Sequence, residues 1–155
     1  MVKIQDMLKE DFIIEDLKSK TKKEVLAELS DVFLRDDMGI DRDSVIEVLM
    51  ERERLGSTGI GDGIAIPHGK LTGLERLVVS FGRSSMGVDF DSLDGRPVHI
   101  FFLLMAPENS AGLHLKALAK ISRMLKDISF RGSLIKAESS KDIYNLIVEK
   151  DRAHM

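Results

Sequence analysis

Residues 98–105 are apolar at nearly every position, and this run constrains the fold more than any other part of the chain. A half-buried strand alternates polar and apolar residues, whereas a strand covered on both faces is apolar throughout. The run therefore predicts a central strand in a sheet that is packed on both sides. It is much shorter than the ~20 residues of a membrane-spanning helix, so no direct membrane insertion is expected.

Helical patterns on both sides of this run supply the covering layers. A capping box, Thr21 to Glu24, precedes apolar residues at helical spacing and predicts a helix that Gly39 ends. Ser44 is expected to cap a second helix, with Gly56 just beyond its end. Further helices are predicted over residues 112–125 and 128–135, and a last one is capped by Ser139 and Ser140.

Short strands are predicted over residues 64–66 and 77–83, and residues 88–90 are either a third strand or an edge piece. Together with the central run, these patterns predict an α/β fold. We expect a single-domain sandwich over residues 1–155, with a mixed parallel and antiparallel sheet of about five strands and helices on both faces. The core is expected over residues 3–150, and residues 151–155 are expected to be a frayed tail.

Composition narrows the classes of function. The chain has 155 residues, a formal net charge of −3 and no cysteine. A duplex nucleic-acid binder usually carries a basic patch, and no Lys/Arg cluster of that kind is present. Disulfides, thiol catalysis and zinc–thiolate sites are excluded. The first residues do not resemble a secretory signal, so a cytoplasmic location is expected.

Residues 56–70 contain five of the twelve glycines and end around His68, which lies between Pro67 and Gly69. Glycine lets backbone N–H groups approach a ligand closely, and proline fixes its own φ. This pattern predicts a short strand, a rigid corner and an exposed imidazole. The run lacks the third glycine of a dinucleotide fingerprint and the Ser/Thr of a Walker loop, and no histidine pair has zinc-ligand spacing.

The four histidines differ in what their positions indicate. The flanking Pro67 and Gly69 favour a functional His68, because a neutral imidazole is a competent nucleophile. For His114, an inert place at the rim of the core is favoured over the alternative, in which it donates to a bound phosphate from the first turn of a helix. A structural role is favoured for His99, and no role is expected for His154.

Other polar side chains near the glycine-rich run leave the site undecided at this point. Arg52 and Arg54 lie in the predicted last turn of the second helix, where arginine usually forms a solvated face. Either one could turn toward His68, since arginine binds two phosphoryl oxygens at once. Ser57 and Thr58 are more typical of hydrogen-bonding turn residues than of nucleophiles.

Residues 52–70, from Arg52 through the glycine-rich run to His68 and Lys70, closely resemble the active-site segment of the mannitol/fructose-class (type 2) enzyme IIA domains of the bacterial phosphotransferase system. The likeness is closest to the freestanding nitrogen-regulatory IIA proteins. It extends to residues 94–98, Pro107 and residues 113–115, and in register it covers about residues 3–150. It implies the mannitol-type IIA fold.

The resemblance also implies roles for individual residues. His68 matches the histidine that the family phosphorylates, His114 matches a second histidine that supports the phosphoryl group, and Arg52 rather than Arg54 matches the active-site arginine. Ser57, Thr58 and Gly69 match neighbours that support the phosphate pocket. The implied chemistry is in-line phosphoryl transfer between two histidines, and it requires no metal and no cofactor.

The partners that the resemblance implies are an HPr-like phosphocarrier protein, which supplies the phosphoryl group, and a downstream partner. For a nitrogen-type protein the downstream partner is a regulated kinase or transporter. The alternative within the same chemistry is a freestanding fructose or mannitol IIA subunit that passes phosphate to a IIB subunit in sugar uptake. A different class of function is a regulatory binding module that never carries phosphate.

Overall fold

The computed structural model describes residues 2–35 and 39–153. Over these residues the chain forms five α-helices, three 3-10 turns and six strands. The helices are α1 (Lys22–Asp31), α2 (Arg42–Arg54), α3 (Ala111–Met124), α4 (Ile128–Lys136) and α5 (Ser140–Ala153), and the 3-10 turns are Ile4–Asp6, Glu10–Phe12 and Val32–Arg35. The strands are β1 (Ile13–Ile14), β2 (Gly59–Gly61), β3 (Ile64–Ala65), β4 (His68–Leu71), β5 (Val78–Val88) and β6 (Val98–Pro107).

The predicted central strand is confirmed as β6. It pairs antiparallel with β5 on one side and parallel with β3 and β4 on the other, so the sheet runs β1-β5-β6-β3-β2 with β4 also joined to β6. Every residue of β6 except His99 is buried. The sheet is therefore mixed, with six strands rather than about five.

Helices cover both faces of the sheet, as predicted. On one face Ser80 of β5 donates its hydroxyl to the carbonyl of Leu29 in α1 at 2.9 Å. On the opposite face Arg83 of β5 donates to the carbonyls of Leu134 at 2.8 Å and Ala137 at 2.7 Å, at the end of α4. The same face of β5 that meets α1 continues through β6 to Gly69 of β4, where Val48 of α2 packs.

The predicted helix starts are partly confirmed. The Thr21 hydroxyl accepts from the Glu24 backbone N–H at 3.3 Å and donates to the Glu24 carboxylate at 2.7 Å, so Thr21 caps α1 as predicted. The α-helix ends at Asp31 and continues as a 3-10 turn, instead of running to Gly39. For α2 the N-cap is Asp41 rather than Ser44, because the Asp41 carboxylate reaches the Ser44 N–H at 3.2 Å.

Two predictions about strands and the tail are wrong. Residues 88–90 do not form a separate strand: β5 continues to Val88 across a register shift, with Gly87 at φ 84°. The frayed tail does not begin at residue 151, because α5 extends to Ala153 and Asp151 is 2% exposed. Its carboxylate accepts from the Ile4 N–H at 2.9 Å and pairs with Lys120 at 2.5 Å. His154 lies outside the described residues.

Candidate phosphoryl-transfer site

His68 is the first residue of β4, directly after Pro67. Its Nδ1 lies 2.8 Å from the carbonyl oxygen of Ile66. A carbonyl only accepts hydrogen bonds, so Nδ1 carries the proton and Nε2 keeps its lone pair. Nε2 accepts from the Nε–H of Arg52 at 3.3 Å, which is consistent with this tautomer. The ring nitrogen of His68 that could act as a nucleophile is therefore Nε2.

Arg52 reaches His68 from the last turn of α2. Its Nη1 donates to the carbonyl of Gly56 at 2.8 Å, so both ends of the guanidinium are held. Arg54 is exposed and paired with Glu51 in the preceding turn. Of the two arginines that sequence spacing left open, the structure brings Arg52 to the histidine.

His114 lies in the first turn of α3 and faces His68 on the side of the sheet opposite α2. The ring centroids are 5.4 Å apart and the planes are nearly perpendicular. His114 is 5% exposed, and its Nδ1 has no hydrogen-bond partner. Burial, the positive charge that His68 acquires when protonated and the charge of Lys70 lower the pKa of His114 to about 4. Its imidazole is therefore neutral near pH 7.

The pKa of His68 is also lowered from its ordinary value of 6.5, first by burial and further by the charge of Arg52. The Ile66 carbonyl and the Glu53 carboxylate act in the opposite direction. A lowered pKa keeps the imidazole unprotonated near pH 7, so the Nε2 lone pair is available for attack.

Arg52, His68, Gly69 and His114 line a common cleft with a volume of about 510 Å³. The rest of the lining is mainly apolar, and Leu55 and Leu115 stand at its rim with 85% and 67% exposure; the lining also includes Val48, Glu51, Lys70, Ala111 and Leu118. The cleft thus combines one nucleophilic nitrogen with donors suited to an anion. Large exposed apolar side chains at its rim suit contact with another protein.

Position 69 must be glycine for α2 to pack against β4 as it does. A Cβ at this position would lie 2.6 Å from Cγ1 of Val48, so only glycine lets α2 pack this closely on β4. The neighbouring His68 points to the other face of the strand. Gly69 thereby sets the distance between the helix that carries Arg52 and the strand that carries His68.

Ser57 and Thr58 do not line the cleft. The Ser57 hydroxyl donates to the Phe90 carbonyl at 2.6 Å and accepts from the Gly59 N–H at 3.0 Å. The buried Thr58 hydroxyl donates to the carboxylate of Glu53. Both hydroxyls thus fix the start of the glycine-rich loop, and their support of a phosphate pocket stays a prediction.

Glu53 is a further residue beside the site that was not predicted from the sequence. It is 7% exposed, and its carboxylate contacts Lys22 at 3.1 Å and the Thr58 N–H at 3.2 Å. One signal was available: an acidic residue in the last turn of α2 opposes the helix dipole, which favours cations there. His99 is half-buried, and its Nδ1 lies 2.8 Å from the Ser84 carbonyl oxygen. This contact is consistent with the structural role that was predicted for His99.

Within residues 2–35 and 39–153, no group of three or more His, Cys, Asp or Glu side chains is placed to hold a metal ion. In the same part of the chain, no helix is long and apolar enough to cross a membrane.

The chain is similar to known proteins along most of its length. The chain is 41% identical over 144 residues to the nitrogen regulatory protein of Bradyrhizobium diazoefficiens, covering 93% of this chain and 94% of that protein. It is 38% identical to the fructose-specific EIIABC component of Bacillus subtilis, covering 97% of this chain and 24% of that longer protein.

A solved structure has the same fold. The nitrogen regulatory protein IIA-Ntr of Neisseria meningitidis superposes with a TM-score of 0.87 at 35% identity, over 93% of this chain and 98% of that one. The family model described as phosphoenolpyruvate-dependent sugar phosphotransferase system, EIIA 2, matches residues 6–150. With the expected fold in place around His68, the chain belongs to the EIIA type 2 family of the phosphotransferase system.

Proposed function

We propose that this protein is a phosphoryl relay in which His68 accepts a phosphoryl group from a histidine of a phosphorylated HPr-like carrier. One observation carries the proposal: His68 Nε2 is unprotonated, accepts a hydrogen bond from Arg52, and lies in a cleft that also presents a neutral His114. These are the parts that a phosphoryl acceptor needs, namely a nucleophile and donors for the phosphoryl oxygens.

In the transfer step, the Arg52 Nε–H moves from Nε2 to a phosphoryl oxygen, and the released Nε2 lone pair forms a bond to phosphorus on the side opposite the donor nitrogen. The phosphorus–nitrogen bond of the donor breaks, and its electron pair returns to the donor imidazole. No proton has to leave Nε2, because Nδ1 carries it. The ring of His68 gains positive charge, and the Ile66 carbonyl stabilises this charge by accepting from Nδ1–H.

The transition state spreads negative charge over the phosphoryl oxygens, so the task of the protein is positioning and electrostatic stabilisation. Arg52 supplies a fixed positive charge next to Nε2. His114 acts as a neutral donor: its buried Nδ1 has no partner to receive a proton, which leaves the N–H on Nε2. His68, Arg52 and His114 are thus the proposed catalytic residues.

We further propose a nitrogen-regulatory output, in which the phosphorylation state of His68 controls contact with a kinase or transporter. The support is the likeness to nitrogen regulatory proteins along nearly the full length of both chains. A cytoplasmic location is part of this proposal.

A sugar-uptake role is the second candidate, because the chain is similar to the EIIA part of a fructose-specific EIIABC component. In that role His68 passes its phosphoryl group to a IIB partner. Incubation of the phosphorylated protein with a fructose-type IIB domain distinguishes the two candidates. Transfer at a rate comparable to loading supports sugar uptake, and slow or absent transfer supports regulation.

The decisive experiment for the relay is an intact-mass measurement after incubation with phosphoenolpyruvate, the upstream kinase and the HPr-like carrier. We expect a gain of one acid-labile phosphoryl group, lost in His68→Ala and retained in His99→Ala. No gain in the wild-type protein would instead favour the regulatory binding module.

A further inference from the structure

Glu53 is a buried carboxylate in an unfavourable place. It is 7% exposed and lies in the last turn of α2, where the helix dipole is negative. Burying a charge is costly unless partners compensate for it. Such a group at the edge of the proposed phosphoryl site calls for an explanation beyond packing.

The partners of Glu53 come from two other parts of the fold. Lys22, at the start of α1, pairs with its carboxylate at 3.1 Å and also with Asp91 at 3.2 Å, and it lies 4.8 Å above the Phe90 ring. Thr58, at the start of the glycine-rich loop, gives the carboxylate both its N–H and its hydroxyl. Glu53 therefore joins α1, the end of α2 and the loop.

This junction encloses the turn that holds the catalytic arginine. Between Glu53 and Thr58 the chain passes through Gly56, which adopts φ 147° and accepts from the Arg52 guanidinium. The bond from Thr58 back to Glu53 closes this turn and fixes where the Gly56 carbonyl stands. That carbonyl in turn fixes the guanidinium whose Nε–H reaches His68.

We propose that Glu53 is a positioning residue of the phosphoryl site: through Thr58 it holds the turn at Gly56, and this turn aims Arg52 at His68 Nε2. The inference deepens the proposed function and rests on it. Glu53 does not line the cleft, so it acts through Arg52 rather than on the phosphoryl group. Its carboxylate, with Lys22 as counter-ion, holds the start of the glycine-rich loop against the C-terminal end of α2.

The test compares Glu53→Gln with Glu47→Gln, an exposed carboxylate on the same helix that undergoes the same chemical change. Single-turnover phosphoryl transfer is measured against the concentration of phosphorylated carrier. We expect Glu53→Gln to lower the maximal rate roughly 10-fold or more with the half-saturating concentration unchanged, since small displacements of catalytic groups are costly. Glu47→Gln is expected to match the wild-type protein.

A second measurement separates positioning from general loss of structure and does not depend on phosphoryl transfer. Hydrogen exchange of the Arg52 Nε–H, followed by NMR, reports whether Arg52 stays bonded to His68. We expect faster exchange in Glu53→Gln than in Glu47→Gln. Circular dichroism verifies that each variant is folded.

Thr58→Val provides an independent route if Glu53→Gln does not fold, because it breaks the same bond from the other end. It should reproduce both effects, and the double variant should be no slower than the worse single variant. A folded variant with unchanged Arg52 exchange overturns the proposal, whatever its transfer rate. If the wild-type protein accepts no phosphoryl group, the relay fails while the exchange measurement still decides the role of Glu53.

Discussion

Arg52 and His68 share a hydrogen bond from Nε to Nε2 at 3.3 Å, and through it each residue sets the chemistry of the other. Burial and the charge of Arg52 lower the pKa of His68, and the imidazole holds the arginine at the point where phosphoryl charge would develop in the proposed transfer. At the scale of single residues, the site is therefore defined by protonation states as much as by positions.

Replacing Arg52 with alanine should slow phosphoryl transfer to His68 by roughly 10²-fold, the usual cost of removing one such donor. It should also raise the pKa of His68, since the charge of Arg52 lowers it. Rapid-quench kinetics and an NMR titration of the His68 ring measure the two effects. Arg54→Ala, which changes an exposed arginine in the same turn, should leave both quantities unchanged; an equal loss there would contradict the assignment.

The lowered pKa of His114 predicts how stability depends on pH. The folded protein holds this ring neutral down to about pH 4, whereas the unfolded chain protonates it near 6.5. Between these values the unfolded state binds more protons, so the free energy of unfolding is highest above pH 6.5 and falls as the pH drops toward 4. Urea unfolding over this range should show a shallower fall for His114→Gln. The same fall in both proteins would assign the effect to other groups.

Among structural elements, the contact between α2 and β4 determines the geometry of the site. The apolar pattern of residues 98–105 was enough to predict the central strand, because a strand buried on both faces is apolar at nearly every position. The pairing of β4 with β6 was not predictable, since Pro67 interrupts the strand and the four residues of β4 show no clear alternation. The resemblance identified Arg52, but only the packing of helix on strand explains how it reaches His68.

Substituting Gly69 with alanine should separate these two elements. The new Cβ would meet Val48 at 2.6 Å, so α2 must shift and carry Arg52 with it. We expect a loss of about 1–3 kcal/mol in unfolding free energy and slower transfer to His68. Gly69→Ala combined with Val48→Ala should recover much of the transfer rate.

Gly132→Ala in α4 is a control for glycine substitution as such, because a Cβ there meets nothing within 4 Å. It should stabilise the protein by about 0.5–1 kcal/mol, the usual difference in helix propensity, and leave the transfer rate unchanged. Chemical denaturation of the variants measures the free energies. Equal effects of the Gly69 and Gly132 substitutions would count against the packing argument.

Across the whole molecule, the two ends of the described chain are joined at a buried carboxylate. Asp151 accepts from the Ile4 N–H and pairs with Lys120 of α3, the helix that also carries His114. No pattern in the last residues indicated this, because a carboxylate's partner lies far away in sequence. Periodicity and caps thus located the helices, while contacts between distant segments became visible only in three dimensions.

Asp151→Asn should cost about 3–5 kcal/mol of unfolding free energy, as expected when one partner of a buried ion pair is removed. Phosphoryl transfer should continue at the wild-type rate, since Asp151 does not line the cleft. Urea denaturation measures the loss, with the exposed Glu149→Gln as the matched control on the same helix. A stability equal to that of the control would show that Asp151 is not part of the core.

The carbonyl of Ile66 accepts from Nδ1 of His68, so in the proposed relay a phosphoryl group arrives and departs only through Nε2. In-line displacement then requires the recipient to stand where the donor stood. The carrier and the recipient must therefore bind to the same site one after the other. This predicts ping-pong (substituted-enzyme) kinetics with parallel double-reciprocal plots. An excess of recipient should competitively inhibit the phosphorylation of His68 by the carrier. The rate of the relay then depends on the ratio of the carrier and recipient concentrations and not only on each concentration.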